Sequence, residues 1–250
     1  MASQSIKVQS ICRNIIAVGR NYTEHAKELG NPVPKGNPLV FGKPVSSIIT
    51  EGEIQIPHGW KELHHEVELG VVVGKPGKFI KKENAMDYVL GYVLVLDMTA
   101  RGIQEQLKKQ GYPWLLAKGF DTSCPISDFI PKSAVSDVNN LNLKLTVNGD
   151  VKQNGNTKDM IFKLPDLLSY ISSYFKLEYG DLILTGTPSG VSAVKHGDVI
   201  EASLDDIVKI KFPFRLKERN MFCKIQYKVA SNIKFNKIFV VSLTKININF

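Results

Sequence analysis

Short β-branched apolar runs alternate with turn residues along most of this chain, and that punctuation limits its possible folds more than any other feature. LVFGKP, SSIIT, IQIP, HEVELGVVVG, YVLGYVLVLDMT, LNLKLTVNG, DLILTGTP and DVIEASL are each bounded by Gly, Pro, Asn or Asp, as strands joined by tight connections should be. Helical patterning interrupts this rhythm. It is clearest over residues 101–110, closed by Gly111 and Pro113, and over residues 165–174, which carry an apolar stripe. A shorter helix should follow the run Ile15-Ile16-Ala17-Val18, with Asn21 and Glu24 spaced as a capping box and Leu29-Gly30-Asn31-Pro32 as the stop. Residues 30–38 hold two Gly and three Pro, so a loop that moves is expected there. Because helices do not alternate regularly with strands, the pattern predicts an α+β, predominantly β domain rather than a doubly wound parallel sheet.

Several classes of function lose support at this level. No stretch approaches the roughly 18 uninterrupted apolar residues of a membrane-spanning helix, and VLGYVLVLDM stops at Asp97. Cys12, Cys124 and Cys223 are odd in number and widely spaced, which suits a reducing compartment better than a disulfide framework or a zinc knuckle. The net charge of +8 suggests an acidic partner, but from Phe212 onward there are eight basic residues against the single acid Glu218. That tail holds seven of the eight charges, so nucleic-acid binding is not expected of the main domain. The segment from Gly70 to Lys75 is one residue too short for a phosphate loop, and Pro76 stands where a Ser or Thr should bind magnesium. The N-terminal stretch has no acid before Glu24 yet is poor in Arg, which supports a mitochondrial address only weakly.

Chemistry concentrates in two of the strand-like runs. Glu66 and Glu68 are two apart in HHEVELGVVVG, so both carboxylates project from one face. Such a pair on an ordinary sheet would be a wet face, but here the same face becomes apolar beyond Gly70. Asp97, at the end of LVLDMT, would complete a three-carboxylate site if its strand neighbours the first. Like charges so close need a cation or a proton, and oxygen-only ligation favours a hard ion, Mg2+ or Mn2+. His64 shares the parity of the two glutamates and is read as a helper or packed histidine before a ligand. On the short helix His25 and Glu28 are three apart and share a face; the carboxylate would orient the imidazole and stabilise its protonated form, so that the pair deprotonates a water. Arg101 and Gln104, also three apart, follow Asp97 closely.

Six blocks in one order, VGRNYTEHAKELG, LHHEVELGVVVGK, GYVLVLDMTARGIQ, PWLLAKGFDTSCPIS, VNGDVKQNGNTKDMIF and GDLILTGTPSGV, resemble the fumarylacetoacetate hydrolase family. The resemblance implies a mixed β-sandwich roll of the fumarylacetoacetate hydrolase C-terminal type with a few short helices. It also implies that Glu66, Glu68 and Asp97 hold Mg2+ or Mn2+, and that His25 with Glu28 activates water from a helix that orders over bound ligand. Lys118 would sit beside a developing oxyanion, Thr187 would bind the substrate carboxylate, and Arg20, Arg101 and Gln104 would position substrate and water. Without the family, Lys118 would read as a solvated loop lysine and Gly186-Thr187-Pro188-Ser189-Gly190 as a plain turn.

The activity so implied is hydrolysis of the carbon–carbon bond of acylpyruvates to pyruvate and a carboxylate, with oxaloacetate decarboxylation as a further reaction of the same site. The alternatives are an oxaloacetate keto–enol tautomerase, a 2-hydroxydienoate hydratase or isomerase, and an inactive metal-stabilised binding protein. A small 2-oxo acid is the expected partner. Homodimerisation and a location in the mitochondrial matrix or cytosol follow from the resemblance alone. The expected organisation is an N-terminal extension over residues 1–10, a catalytic domain over residues 11–211, and a basic tail over residues 212–250. That tail has no family counterpart and reads as a translated extension or alternative final exon, with a membrane- or RNA-contacting tail as the rival.

Overall fold

The computed structural model describes residues 6–216 apart from Leu29, Asn31, Pro32, Lys35 and Lys61. Two sheets dominate it. The first has six strands in the order Ile130–Pro131, Val89–Leu96, Val67–Val73, Leu182–Leu184, Ile15–Gly19 and Leu39–Lys43; its one parallel pairing joins Ile15–Gly19 to Leu182–Leu184. The second has five, in the order Asp150–Asn156, Asn142–Val147, Val199–Leu204, Val208–Leu216 and Ile54–Ile56. The fold is thus α+β and mostly β, as the punctuation predicts.

Val67, Leu69, Val71 and Val73 share a buried cluster with Leu143, Leu145, Ile200, Leu204 and Phe214 of the second sheet. Val72, Val93, Val95, Leu182 and Leu184 line the opposite face, packed with Val8, Cys12, Ile48 and Cys124. Burial on both faces explains why these strands read as nearly continuous apolar runs. At Gly70 an added Cβ would lie 2.6 Å from Val95 and 2.7 Å from Val93. A side chain there would pry apart the two strands that carry the acidic residues.

The long helices lie over Arg101–Gln110, with Gly111 in the left-handed conformation at its end, and over Leu164–Tyr174. Three local readings change. Asn21 does not cap the helix Thr23–Glu28: its side-chain amide donates to Phe162 O and Thr185 O and accepts from Phe162 N–H. It is buried, and those long-range backbone groups outcompete a local cap. The expected N-terminal extension is in part folded, since Val8–Ile11 is helical with Val8 buried. The last strand runs through Leu216, past the sequence boundary at residue 211, because Phe212 and Phe214 alternate inward around Pro213. Residues 217–250 of the tail, and Asn31, Pro32 and Lys35 of the expected moving loop, lie outside the described residues. Among the described residues no helix is long and apolar enough to cross a membrane.

Phe214 is fully buried and pairs with Ile54 across the only parallel contact of the second sheet among the described residues. Phe214→Ala is therefore expected to lower the unfolding free energy by about 3–5 kcal/mol in a urea titration. A loss below about 1 kcal/mol would place the end of that strand outside the core.

Candidate metal centre

Antiparallel register assembles the acidic site. Val67 lies opposite Leu96 and Glu68 opposite Val95, and Asp97 N–H donates to Glu66 O at 2.8 Å. Glu66 and Asp97 are therefore cross-strand neighbours, and Glu68 follows on the same face. All three are buried, and each offers a carboxylate oxygen within 4.8 Å of the others. His64 is outside this group: its Nε2 lies 2.9 Å from Glu62 Oε1 and its Nδ1 accepts from Arg101 Nε at 3.4 Å.

Cations surround two of the three acids. Lys118 Nζ lies 2.8 Å from Glu66 Oε2 and 2.6 Å from Asp97 Oδ2, Lys43 Nζ lies 2.8 Å from Asp97 Oδ1, and the Arg101 guanidinium pairs with Glu66 Oε1. Burial pushes the Glu66 carboxyl up, but Lys118 and Arg101 outweigh it and hold it well below the usual carboxylate range. Burial likewise opposes the charge on Lys118, and Asp97 and Glu66 overcome it, so the ammonium persists above its ordinary range. Among the described residues Glu68 makes no such ion pair; the neutral Gly186 N–H donates to it at 2.8 Å, and Lys118 acts on it only as a more distant charge. Burial, then Asp97 and Glu66, raise its pKa well above the ordinary value. Three buried carboxyl groups whose oxygens lie within 4.8 Å of one another form a set that fits a divalent cation, and the all-oxygen donors suit Mg2+ or Mn2+.

The other sequence candidates gather around the same cleft. Arg20, His25, Arg101, Gln104, Lys118 and Thr187 line it together with the three acids. Glu28 stands behind His25, with Oε2 3.2 Å from His25 Nδ1 and Oε1 accepting Gly190 N–H at 2.9 Å. Arg20 takes a left-handed backbone, φ 60°, an uncommon conformation for a non-glycine residue that is found more often at ligand sites. Gln104 Oε1 accepts from Arg101 at 2.6 Å, which leaves its amide hydrogens for the cleft. The Thr187 hydroxyl donates to Val67 O at 2.8 Å, so its proton already serves the backbone between the two glutamates. Lys43 escaped the sequence reading. At the end of an edge strand before a Pro it resembles a solvated lysine, and only the fold turns it inward beside Asp97. Phe41 and Trp114, which wall the cleft, carried no legible signal either.

Comparisons with known proteins agree with this geometry. The description Fumarylacetoacetate (FAA) hydrolase C-terminal matches residues 14–215. The chain is 52% identical over 211 residues to a protein named oxaloacetate decarboxylase, mitochondrial, from Dictyostelium discoideum, covering 83% of this chain and 96% of that one. It is 52% identical over 199 residues to an oxaloacetate tautomerase, mitochondrial, of Arabidopsis thaliana, covering 79% and 89%. Among solved structures, the fumarylpyruvate hydrolase of Pseudomonas aeruginosa in complex with Mn2+ and pyruvate superposes with a TM-score of 0.80 at 34% identity, covering 82% of this chain and 91% of that one.

A carboxyl whose folded pKa is raised stabilises the fold at low pH, and that contribution is lost as pH climbs through the raised value. In chelator, the melting temperature is expected to fall as pH rises above the ordinary carboxylate range, and Glu68→Gln to flatten that fall while removing the stabilisation that Mn2+ confers. Thermal melts of both proteins with and without Mn2+ decide it. A Glu68→Gln protein that Mn2+ still stabilises as strongly as wild type removes Glu68 from the ligand set.

Proposed function

Because the chain belongs to the fumarylacetoacetate hydrolase family, we propose that it is a divalent-metal-dependent enzyme of small 2-oxo acids whose leading reaction is keto–enol interconversion of oxaloacetate. The observation that carries this reading is the convergence of one base, His25, and one ammonium, Lys118, on a cleft that also presents Glu66, Glu68 and Asp97. The oxaloacetate names of relatives about half identical to the chain support the choice of substrate.

Interconversion moves one proton between C3 and the C2 oxygen. The Glu28 carboxylate only accepts hydrogen bonds, so it holds the proton of His25 on Nδ1 and leaves the Nε2 lone pair for the C3 proton. Glu28 then stabilises the imidazolium, which gives the proton back at the C2 oxygen and so completes the enol. Two of the three Lys118 protons go to Glu66 and Asp97, and the third serves the oxygen on which negative charge develops. Arg20 takes a substrate carboxylate, and Gln104, held by Arg101, offers its amide hydrogens to the bound acid. A hard ion held by Glu66, Glu68 and Asp97 would supply the Lewis acidity that draws charge onto the 2-oxo group.

The second reading, acylpyruvate hydrolysis, uses the same residues, and the His25–Glu28 pair favours it. His25 would then take its proton from water instead of carbon; the resulting hydroxide adds to the distal carbonyl, the carbon–carbon bond breaks, and pyruvate leaves as its enolate. Decarboxylation of oxaloacetate passes through that enolate without water. The likeness to a fumarylpyruvate hydrolase supports this chemistry. The mitochondrial names of the relatives favour the mitochondrial matrix over the cytosol.

Enol-oxaloacetate absorbance, and pyruvate release from oxaloacetate and acetylpyruvate, are to be followed with Mg2+, with Mn2+ and in chelator. His25→Ala is expected to lower turnover by about 10²–10⁴-fold while Mn2+ uptake measured by calorimetry persists. Unchanged turnover removes the dyad from the mechanism, and a wild-type protein that binds Mn2+ but turns over none of these substrates leaves the binding-protein reading.

A homodimer is part of the same proposal. Tyr112, Leu115, Tyr174 and Phe175 are exposed around a groove that Phe41 and Trp114 also line, an apolar surface of the kind that marks association. Leu115→Glu is expected to shift sedimentation equilibrium from dimer to monomer. A monomeric wild-type protein at micromolar concentration overturns that part.

A further inference from the structure

The block VNGDVKQNGNTKDMIF has no role in the cleft described above, yet its Gln153 is fully buried at the centre of a hydrogen-bond network that reaches the acidic strand from behind. Gln153 belongs to the strand Asp150–Asn156 of the second sheet, where a register shift between Leu145 and Thr146 breaks the pairing. Its side chain crosses to the first sheet. Oε1 accepts Val67 N–H at 3.1 Å and faces His65 Nδ1 at 2.9 Å; Nε2 donates to Thr187 Oγ1 and to Pro188 O, both at 2.8 Å. Two backbone partners fix the amide's orientation, because Val67 N–H can only donate and Pro188 O can only accept.

That orientation sets the rest. His65 must carry its proton on Nδ1, and its Nε2 accepts from Ser192 Oγ at 2.9 Å. Thr187, receiving the Gln153 proton, turns its own toward Val67 O. Both backbone polar groups of Val67, one in each of the peptide units that join it to Glu66 and Glu68, are thereby held. The same strand presses on the Gly186–Gly190 loop: an added Cβ at Gly155 would lie 2.3 Å from Pro188, and one at Gly190 would lie 1.9 Å from Lys152 O. This loop supplies the N–H groups that bind Glu68 and Glu28.

We propose that Gln153 is a positioning residue for the candidate metal centre, holding the Glu66-Val67-Glu68 backbone and Thr187 in the one arrangement that lets both glutamates reach a shared ion. The inference rests on the metal reading of the three acids. All four hydrogen-bonding positions of the amide are filled by groups of that assembly, and no other side chain among the described residues joins the second sheet to Val67 in this way. Partners standing behind metal ligands affect affinity by about 10–100-fold, whereas a purely structural amide would affect melting alone.

The test measures Mn2+ affinity without substrate, by calorimetry and by the line shape of the bound-ion electron paramagnetic resonance spectrum, on the full chain. Gln153→Met keeps the length of the side chain and removes the amide; Gln153→Asn keeps the amide but cannot span its four partners, and serves if the first fails to fold. Val147→Ala, in the adjoining strand, controls for lost stability. Either Gln153 variant is expected to weaken Mn2+ binding about 10–100-fold and to broaden the spectrum, with the control at wild-type affinity despite a comparable drop in melting temperature. Affinity within twofold of wild type in a folded Gln153 variant, or equal weakening in the control, overturns the inference alone. Absence of Mn2+ uptake by wild type overturns the metal reading and this inference with it.

Discussion

Three carboxylates crowded onto one buried face of an antiparallel strand pair are the constraint from which the rest of the site follows. Register places Glu66 beside Asp97 with Glu68 next in line, and a low-dielectric interior does not tolerate that much negative charge unanswered. The fold answers with Lys43, Lys118 and Arg101, which reach Glu66 and Asp97 and leave Glu68 with a peptide N–H only. Three cations balance three acids in formal charge, but they are shared unequally, and under the proposed metal reading Glu68 is the acid left open to an ion.

The two sheets divide the labour. The central strands of the six-stranded sheet are buried on both faces, which sets the acids in a dry environment where each charge–charge interaction is strong. The five-stranded sheet packs against it and sends Gln153 through the interface to Val67 and Thr187. The helix that carries His25 is tied to the Gly186–Gly190 loop through Glu28. His25, the three acids and Lys118 thus converge from different parts of the chain on one cleft, which under the proposed reading sets their positions before a substrate arrives.

Much of this was legible in the residues alone, because local rules of short range generate it. Period-two alternation with turn residues marks the strands, and the helix Arg101–Gln110 ends at Gly111 because only a left-handed residue closes it there. The E-x-E pattern in an apolar run marks the acids. Asn21 shows where such reasoning fails: its spacing to Glu24 is that of a cap, but the side chain serves Phe162 and Thr185, more than 140 residues away in sequence. Local chemistry lost to backbone groups that the fold brings against the buried amide. The last strand also ran further than expected, since Phe-Pro-Phe looks like a terminus until its aromatic rings have a core to enter.

By itself the amino-acid order determined the class of fold, the face on which Glu66 and Glu68 lie, and the need for a cation near them, because each depends on the direction in which neighbouring residues point. Only tertiary structure decided that Asp97 faces Glu66, that Lys43 turns inward, that Thr187 gives its proton to Val67, and that Gln153 reaches across two sheets. Those contacts join segments that no periodicity connects. They exist because folding buries polar groups whose desolvation is tolerable only when each finds a partner, and the partner is whichever group the packing brings within reach.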